Sequence, residues 1–497
     1  MTNSLRDSFI CLCSIGVLAL AGCSSDDETV QTNTNSTDTA GLNSTDVDST
    51  DTTQPFVLGD LTEPFDAPTL EELRDSTEWI DKPVVDVYEL MTDRKENEPA
   101  LLSAGEALAL RNNTPEDNDK IVSGLGTLPV DGEVDYSASW TRHTAGDIKS
   151  TNPLMASSTA EFDVGGLINL SLFSFDWNFT PYANTDTVVS WQTSSDGLMD
   201  MIIMRDDLTW SDGTRITAHD IEYSYQVIMS SAIPIPAVRS GTDQLKGVKA
   251  YDDHTVVFFH NEPLATNVWN TFFPFIPKHK FIDTIADDPT LASSPAHVEL
   301  DLNPVTAGAY TISKRERGQE IVLKRRDSYH TVNGEQVRRK PHFETVRFKI
   351  IENPNTALLS MKKGDLEEMM LTPEQWKSQT NDDEFYKFNT KSYALEWVYY
   401  YFGWNFRSPF FKDKRVRQAM GYAFNHQELL EKHRFGMDEA STGIFHRTSP
   451  WAPKVALEAY QQDLDKAEEL LAEAGWEDTD NDGILDNIVE FDNDFDG

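Results

Sequence analysis

Only three of the 497 residues are cysteine, namely Cys11, Cys13 and Cys23, and all lie at the extreme N-terminus. The rest of the chain therefore has no thiol for a disulfide, a thiolate metal site or a cysteine nucleophile. Basic residues are scarce as well, 42 against 83 acidic, for a formal net charge of −41. Such an excess repels a polyanion over most of the surface and excludes nucleic acid as a partner. It reads as a solubility device suited to a salty habitat. Long apolar runs are missing: past the N-terminal stretch nothing approaches the ~18 residues that a membrane-spanning helix needs. The motifs G-x-x-x-x-G-K-[ST], G-x-S-x-G, H-E-x-x-H and G-x-G-x-x-G are absent too, so any ATPase would be a separate subunit. No catalytic residue, metal or cofactor is expected, and the scattered His426 and His433 read as surface or capping groups.

At its start, Arg6 precedes an apolar run from Phe9 to Leu20, which leads into Leu20-Ala21-Gly22-Cys23. The run is too short to span a bilayer comfortably. The pattern resembles a bacterial lipoprotein signal, which implies a signal peptide over 1–23 and lipidation of Cys23 on sulfur after cleavage. A plain secretory signal is the alternative. Residues 24–55 are almost entirely Ser, Thr, Asp and Asn without a basic residue, a composition that cannot offset ordering entropy and predicts a disordered linker. Over 56–133, Thr69-Leu70-Glu71-Glu72, Ser103-Ala104-Gly105-Glu106 and Thr114-Pro115-Glu116-Asp117 look like helix starts, predicting a small helical preamble.

The most informative stretch runs from Met204 to Tyr225. Leu198 to Met204 predicts a strand, Ser211-Asp212-Gly213 a turn suited to positive φ, and Thr217-Ala218-His219-Asp220 a helix start with an acidic variant of the capping box. With Trp210 ahead of Ser-Asp-Gly and the T-A-x-D cap, this resembles the family 5 extracellular solute-binding proteins, the oligopeptide, dipeptide and nickel receptors of ABC importers. Trp210, Asp212, Gly213, Thr217 and Asp220 are then structural signature residues.

Further matches follow in order. Gly146 to Leu154 resembles the family's opening turn. Asn303-Pro304-Val305-Thr306-Ala307-Gly308-Ala309-Tyr310 resembles its N-P-V-G-T-G-P-Y turn, with Thr306, Ala307 and Ala309 as departures that predict a looser backbone. Val248 to His260 predicts a hairpin about Asp252-Asp253-His254, Val346 to Ile351 a strand, and Pro354 to Lys363 a helix closed by Gly364. Arg415 to Met420 and Asp465 to Trp476 resemble the family's V-R-Q-A and A-G-W helices.

The resemblance implies an α/β, two-lobed periplasmic-binding-protein-like fold with three discontinuous domains and an inter-lobe cleft. The first lobe with its inserted domain would occupy 134–397, and the second would start over 398–497. In the peptide-binding relatives the Asp that holds the ligand amine lies well beyond the A-G-W helix, so roughly a hundred more residues are expected and the second lobe reads as incomplete. Tyr399 to Asn405 alternates like a strand placing Tyr400, Phe402 and Trp404 on one face. In the family this strand borders the cleft, which makes Trp404 and Asn405 candidate ligand contacts. Glu161 and Phe162 fall where the first lobe runs an extended segment along the bound peptide, and are candidates as well. Asp478-x-Asp480-x-Asp482-Gly483 with Asp486 imitates half of an EF-hand loop, but Val489 replaces the bidentate Glu, and a solvated acidic turn is the reading kept.

The function implied is capture without chemistry: a lipid-anchored, monomeric receptor on the extracytoplasmic face that binds oligopeptides or a related small solute and delivers them to an ABC permease and ATPase. Two rivals remain. One is an extracytoplasmic hydrolase using paired carboxylates. The other is a sensory or structural lipoprotein that kept the fold without transport.

Overall fold

The computed structural model describes residues 56–97, 133–176, 178–389, 391, 398–445, 449, 451–455, 457–481 and 483–487. The signal peptide with Cys23, the linker and the helix starts at Ser103 and Thr114 lie outside the described residues.

In chain order the strands of the first part are β1 (Trp79–Asp81), β2 (Val84–Val85), β3 (Ser139–Thr144), β4 (Phe173–Phe175), β5 (Pro181–Asn184), β6 (Val188–Ser194), β7 (Met199–Met204), β8 (Leu245–Ala250) and β9 (Thr255–His260). Five of them form an antiparallel sheet in the order β1-β6-β7-β9-β8. Its two central strands are buried on both faces. Ile202, Met204, Val256 and Phe258 point into a core shared with Trp210, Ile221 and Phe173. Met201, Val257 and Phe259 point the other way, against Leu73, Phe65 and Trp79. Alternate residues on a strand face opposite sides, so a strand apolar at every position needs two covers.

The second cover comes from within the segment read as a small helical preamble. The Leu70–Ser76 helix is present with the full capping box of Thr69 and Glu72. The same segment also supplies β1, the edge strand paired with β6, and β2, which pairs parallel to β5. Through β1 it joins the five-stranded sheet, and through β2 a separate three-stranded one, β2-β5-β4.

Next along the chain come β10 (Tyr310–Glu316), β11 (Glu320–Arg325), β12 (Thr331–Val332), β13 (Glu335–Gln336) and β14 (Thr345–Ile350). Strands β10-β11-β14-β3 make a four-stranded sheet whose last pair is parallel. Trp140, Ile321, Leu323, Val346 and Phe348 on one face pack on Val164 and Ile168 of the Thr159–Ile168 helix. The predicted Pro354–Lys363 helix appears with those bounds, capped by Asn353 and ended by Gly364 at φ 86°.

In the C-terminal part, the Lys414–Ala423 and Leu464–Glu473 helices pack through Ala419, Ala467 and Leu470. The strand expected at Tyr399–Asn405 is absent: the segment is irregular, and Tyr400 and Phe402 are 79% and 64% exposed. Among the described residues it has no neighbouring strand, and an alternating sequence forms a ladder only against a partner.

Candidate functional site

Around the Trp210 turn the sequence pattern becomes a junction. Trp210 donates its backbone N–H to Thr214 O (2.8 Å) and accepts from Gly213 N (3.0 Å). Gly213, at φ 88°, takes the left-handed conformation that a side chain would oppose. The Trp210 indole is 1% exposed and meets Phe275 edge-on at 5.9 Å. Its ring N–H has no hydrogen-bond partner among the described residues.

Asp212 and Asp220 both reach from this motif to the Lys278–Phe281 helix. Asp212 Oδ2 accepts from His279 Nε2 (2.8 Å) and pairs with Lys280 Nζ (3.0 Å). Asp220 Oδ1 accepts from Lys278 N and Oδ2 from Thr217 N, each at 2.9 Å. The environments then diverge. Partial burial favours the neutral acid at Asp212, but hydrogen bonds from His279, Thr214 and Lys280 outweigh it and hold the carboxyl well below the usual range. Asp220 is 4% exposed; burial dominates there and pushes its carboxyl up, against the amide bonds of Thr217 and Lys278.

Arg326, which the motif reading missed, locks the junction. Buried, it donates to Thr306 O and Gly308 O (3.0 Å each) and to Thr209 O (2.8 Å). Desolvation pulls its pKa down to about 10. Ser211 and Thr306 exchange bonds beside it, Ser211 N to Thr306 O (2.8 Å) and Thr306 N to Ser211 Oγ (2.9 Å). The 303–310 turn, which carries the departures at Thr306, Ala307 and Ala309, is bonded to the Thr159–Ile168 helix as well. Ala307 N and Gly308 N both donate to Ile168 O (3.0 and 2.7 Å), and a Cβ on Gly308 would sit 2.6 Å from backbone atoms of Leu167 and Ile168.

The four candidate ligand residues lie on two different elements. Glu161 and Phe162 are in the first turn of the Thr159–Ile168 helix rather than in an extended segment. The Glu161 carboxylate, 4% exposed, accepts from the backbone N–H of Lys149, Ser150, Ser157 and Ser158. Burial opposes ionisation, yet those bonds prevail and its pKa is lowered. Its oxygens are thus committed to closing the 149–158 loop, a positioning role. Trp404 and Asn405 lie on the irregular 398–411 segment, with Trp404 stacked on Phe411 at 4.5 Å and Asn405 exposed, its Oδ1 accepting from Arg407 N. No hydrogen bond or ring contact joins Glu161 or Phe162 to Trp404 or Asn405 among the described residues.

A contact that the sequence did not suggest does cross between the two parts. The Trp451 Nε1–H donates to Phe179 O at 3.3 Å. Phe179 has a left-handed φ of 62° and stacks on Trp269 at 5.4 Å. A cavity of about 130 Å³ lined by Gln244, Asn261, Glu262, Leu264 and Asn267 lies elsewhere, and it is too small for a peptide. Among the described residues no group of His, Cys, Asp and Glu is arranged to hold a metal. In the 478–486 turn, Asp486 accepts from Thr479 and Asp478 from Gly483 N, which are bonds of a closed acidic loop.

This architecture has known counterparts. The family model for bacterial extracellular solute-binding proteins, family 5 middle, matches residues 185–495, well over half of the chain. The chain belongs to that family. Family 5 proteins are receptors rather than enzymes, and the fold is α/β, two-lobed and periplasmic-binding-protein-like. Similarity to the oligopeptide-binding protein AppA of Bacillus subtilis is 27% identity over 303 residues, 58% of this chain and 51% of that protein. To the oligopeptide-binding protein OppA of Lactococcus lactis subsp. cremoris it is 25% over 309 residues, 55% and 49% of the two chains. The chain thus spans about half the length of these curated relatives. Among solved family 5 structures, B. subtilis AppA in complex with a nonapeptide superposes with a TM-score of 0.60 at 25% identity, over 72% of this chain and 68% of that one. NikZ from Campylobacter jejuni in complex with Ni(L-His) gives 0.52 at 21%, over 71% and 66%, a likeness of fold alone.

Proposed function

We propose that the protein is the substrate-binding lipoprotein of an ABC importer, capturing oligopeptides outside the cytoplasmic membrane and delivering them to a permease driven by a separate ATPase. The observation that carries this reading is the family 5 match together with the superposition on a relative solved with a nonapeptide. Cys23 is the lipid anchor in this reading and 24–55 its tether. Trp404 and Asn405 contact ligand, residues 134–397 serve as the first lobe and 398–497 belong to the second. Peptide binding needs no reacting group. An extended peptide is held through its backbone, and contacts with both lobes favour the closed arrangement. The Trp451–Phe179 bond supports such an arrangement, since it ties the two parts together.

A thermal-shift and calorimetric screen with mixed di- to pentapeptides tests the proposal, run on this chain and on a version extended by its downstream reading frame. Saturable stabilisation by peptides in either is expected. Stabilisation in neither would end the peptide assignment.

A further inference from the structure

The charge of this chain is unevenly spread. Residues 314–349 hold eleven of its 42 Lys and Arg but only five of its 83 Asp and Glu. The strand register shows where they point. Lys314 and Arg347 both lie opposite Val322, Lys324 opposite Thr345, and Lys349 opposite Glu320. Residues opposite one another share a face, and period two places Glu320, Val322 and Lys324 on one side of β11. Ile321 and Leu323, both 0% exposed, occupy the other side. Lys314, Lys324, Arg347 and Lys349 therefore share the outer face of the β10-β11-β14 sheet.

Glu316 and Glu320 pair with Lys314, and Glu320 also with Arg347. Lys324 and Lys349 have no carboxylate partner among the described residues, and neither do Arg317 at the hairpin tip or Arg339 and Lys340 ahead of β14. At that end of the face, the Arg339 guanidinium lies 3.6 Å over Tyr88 and the Lys340 ammonium 5.0 Å over Tyr136, and both rings are exposed. Arg325 fixes the loop by donating to Tyr136 O and Pro341 O. Asp86 and Asp135, on the segments of the two tyrosines, cap their own turns through Tyr88 N, Glu89 N and Ser137 N.

We propose that the outer face of the β10-β11-β14 sheet, with Arg339, Lys340, Tyr88 and Tyr136 at its rim, docks on an anionic lipid surface. Recognition of one carboxylate or phosphate on a protein would call for converging guanidinium forks. Here the cations are mostly lysines spread over a flat face, Lys324 and Lys349 lying roughly 13 Å apart along the strands. That spacing suits an array of headgroups, and tyrosine beside Lys and Arg is the composition of a membrane–water interface. Screening confines each charge to about 8 Å at physiological ionic strength, so the bilayer meets this face rather than the net charge of the whole chain. The inference goes beyond the importer reading and does not require the lipid on Cys23.

Vesicle co-sedimentation of the full chain carrying Cys23→Ser, which cannot be acylated there, tests it. Binding is expected to vesicles of mixed phosphatidylglycerol and phosphatidylcholine, to be weak on pure phosphatidylcholine, and to fall with salt. Lys324→Glu with Lys349→Glu should weaken it at least tenfold, and Lys340→Gln alone by about fivefold, with unchanged melting temperatures. The neutral Gln variant keeps the test decisive if the double reversal disturbs folding. Peptide-induced stabilisation should be the same in all variants, which separates failure here from failure of the importer reading. Equal binding to neutral vesicles, undiminished binding by the variants, or capture by polyglutamate beads without vesicle binding would each overturn the proposal.

Discussion

Asp212 accepts a 2.8 Å hydrogen bond from His279, 67 residues further along the chain. That bond, the Lys280 pair beside it and the Lys278 amide on Asp220 anchor the Lys278–Phe281 helix to the Trp210 turn. The Trp210 turn is thus a junction between elements.

Replacing Asp212 by Asn removes the charge from this junction. Its folded pKa is depressed, so its stabilisation is present above the unfolded value of about 3.9 and is lost as pH falls through the folded pKa. D212N should cost about 1–3 kcal/mol in urea unfolding at neutral pH. The deficit should shrink progressively as pH falls below about 4, where the unfolded carboxyl takes up its proton while the folded one still resists it, and vanish only once pH passes the depressed folded value. A deficit that stays constant down to low pH would contradict this account.

Asp220 should behave in the opposite sense. Its folded pKa is raised by burial, so its favourable contribution is complete below the unfolded pKa and is lost as pH rises through the folded one. Asp220→Asn sheds the buried charge but keeps one acceptor, whereas Asp220→Ala leaves the amides of Thr217 and Lys278 unpaired. The Ala variant should be the less stable by about 1 kcal/mol or more, and the Asn variant should show a flatter rise in stability on mild acidification. Equal losses in both would refute the argument.

Gly308→Ala places a methyl 2.6 Å from backbone atoms of Leu167 and Ile168, neither of which can rotate away. The strain should cost about 1–3 kcal/mol in chemical denaturation. Gly213→Ala is an instructive control because no heavy atom lies within 4 Å of its Cβ position. Its penalty comes from the left-handed φ, about 1 kcal/mol. If G308A were as stable as wild type, the close approach of that turn to the Thr159–Ile168 helix would be wrong.

Two pairs of residues should separate scaffold from ligand contact. Trp210→Ala should cost about 3–5 kcal/mol and Glu161→Gln about 1–3 kcal/mol, both seen as lower melting temperatures. Trp404→Ala and Asn405→Ala, on the irregular segment, should each change stability by about 1 kcal/mol or less while weakening peptide binding. Peptide titration by calorimetry checks this, and unaltered affinity in both would remove them from the site.

Much of the first lobe was legible from local pattern. The strand at Met199–Met204, the turn at Gly213, the Thr217 helix start and the Pro354–Lys363 helix are specified by side chains within a few residues of the backbone groups they satisfy. The part Glu161 plays in the fold is not legible from its neighbours in sequence. A Ser158–Glu161 capping box looks like any polar pair until the 149–151 loop folds back to give its amides to the carboxylate.

The chain's own order of residues was enough to establish its family, its lack of catalytic motifs, its acidic character and several helix starts, those at Leu70, Ala218 and Pro354 among them. Those properties depend on composition and on contacts between near neighbours. Three-dimensional packing alone recruited residues 65–79 to the back of the five-stranded sheet, aimed Arg326 at three carbonyls and left Tyr399–Asn405 without a ladder. Pairing across a hundred residues depends on which apolar faces and backbone groups remain uncovered once the rest has folded, and no local window contains that information.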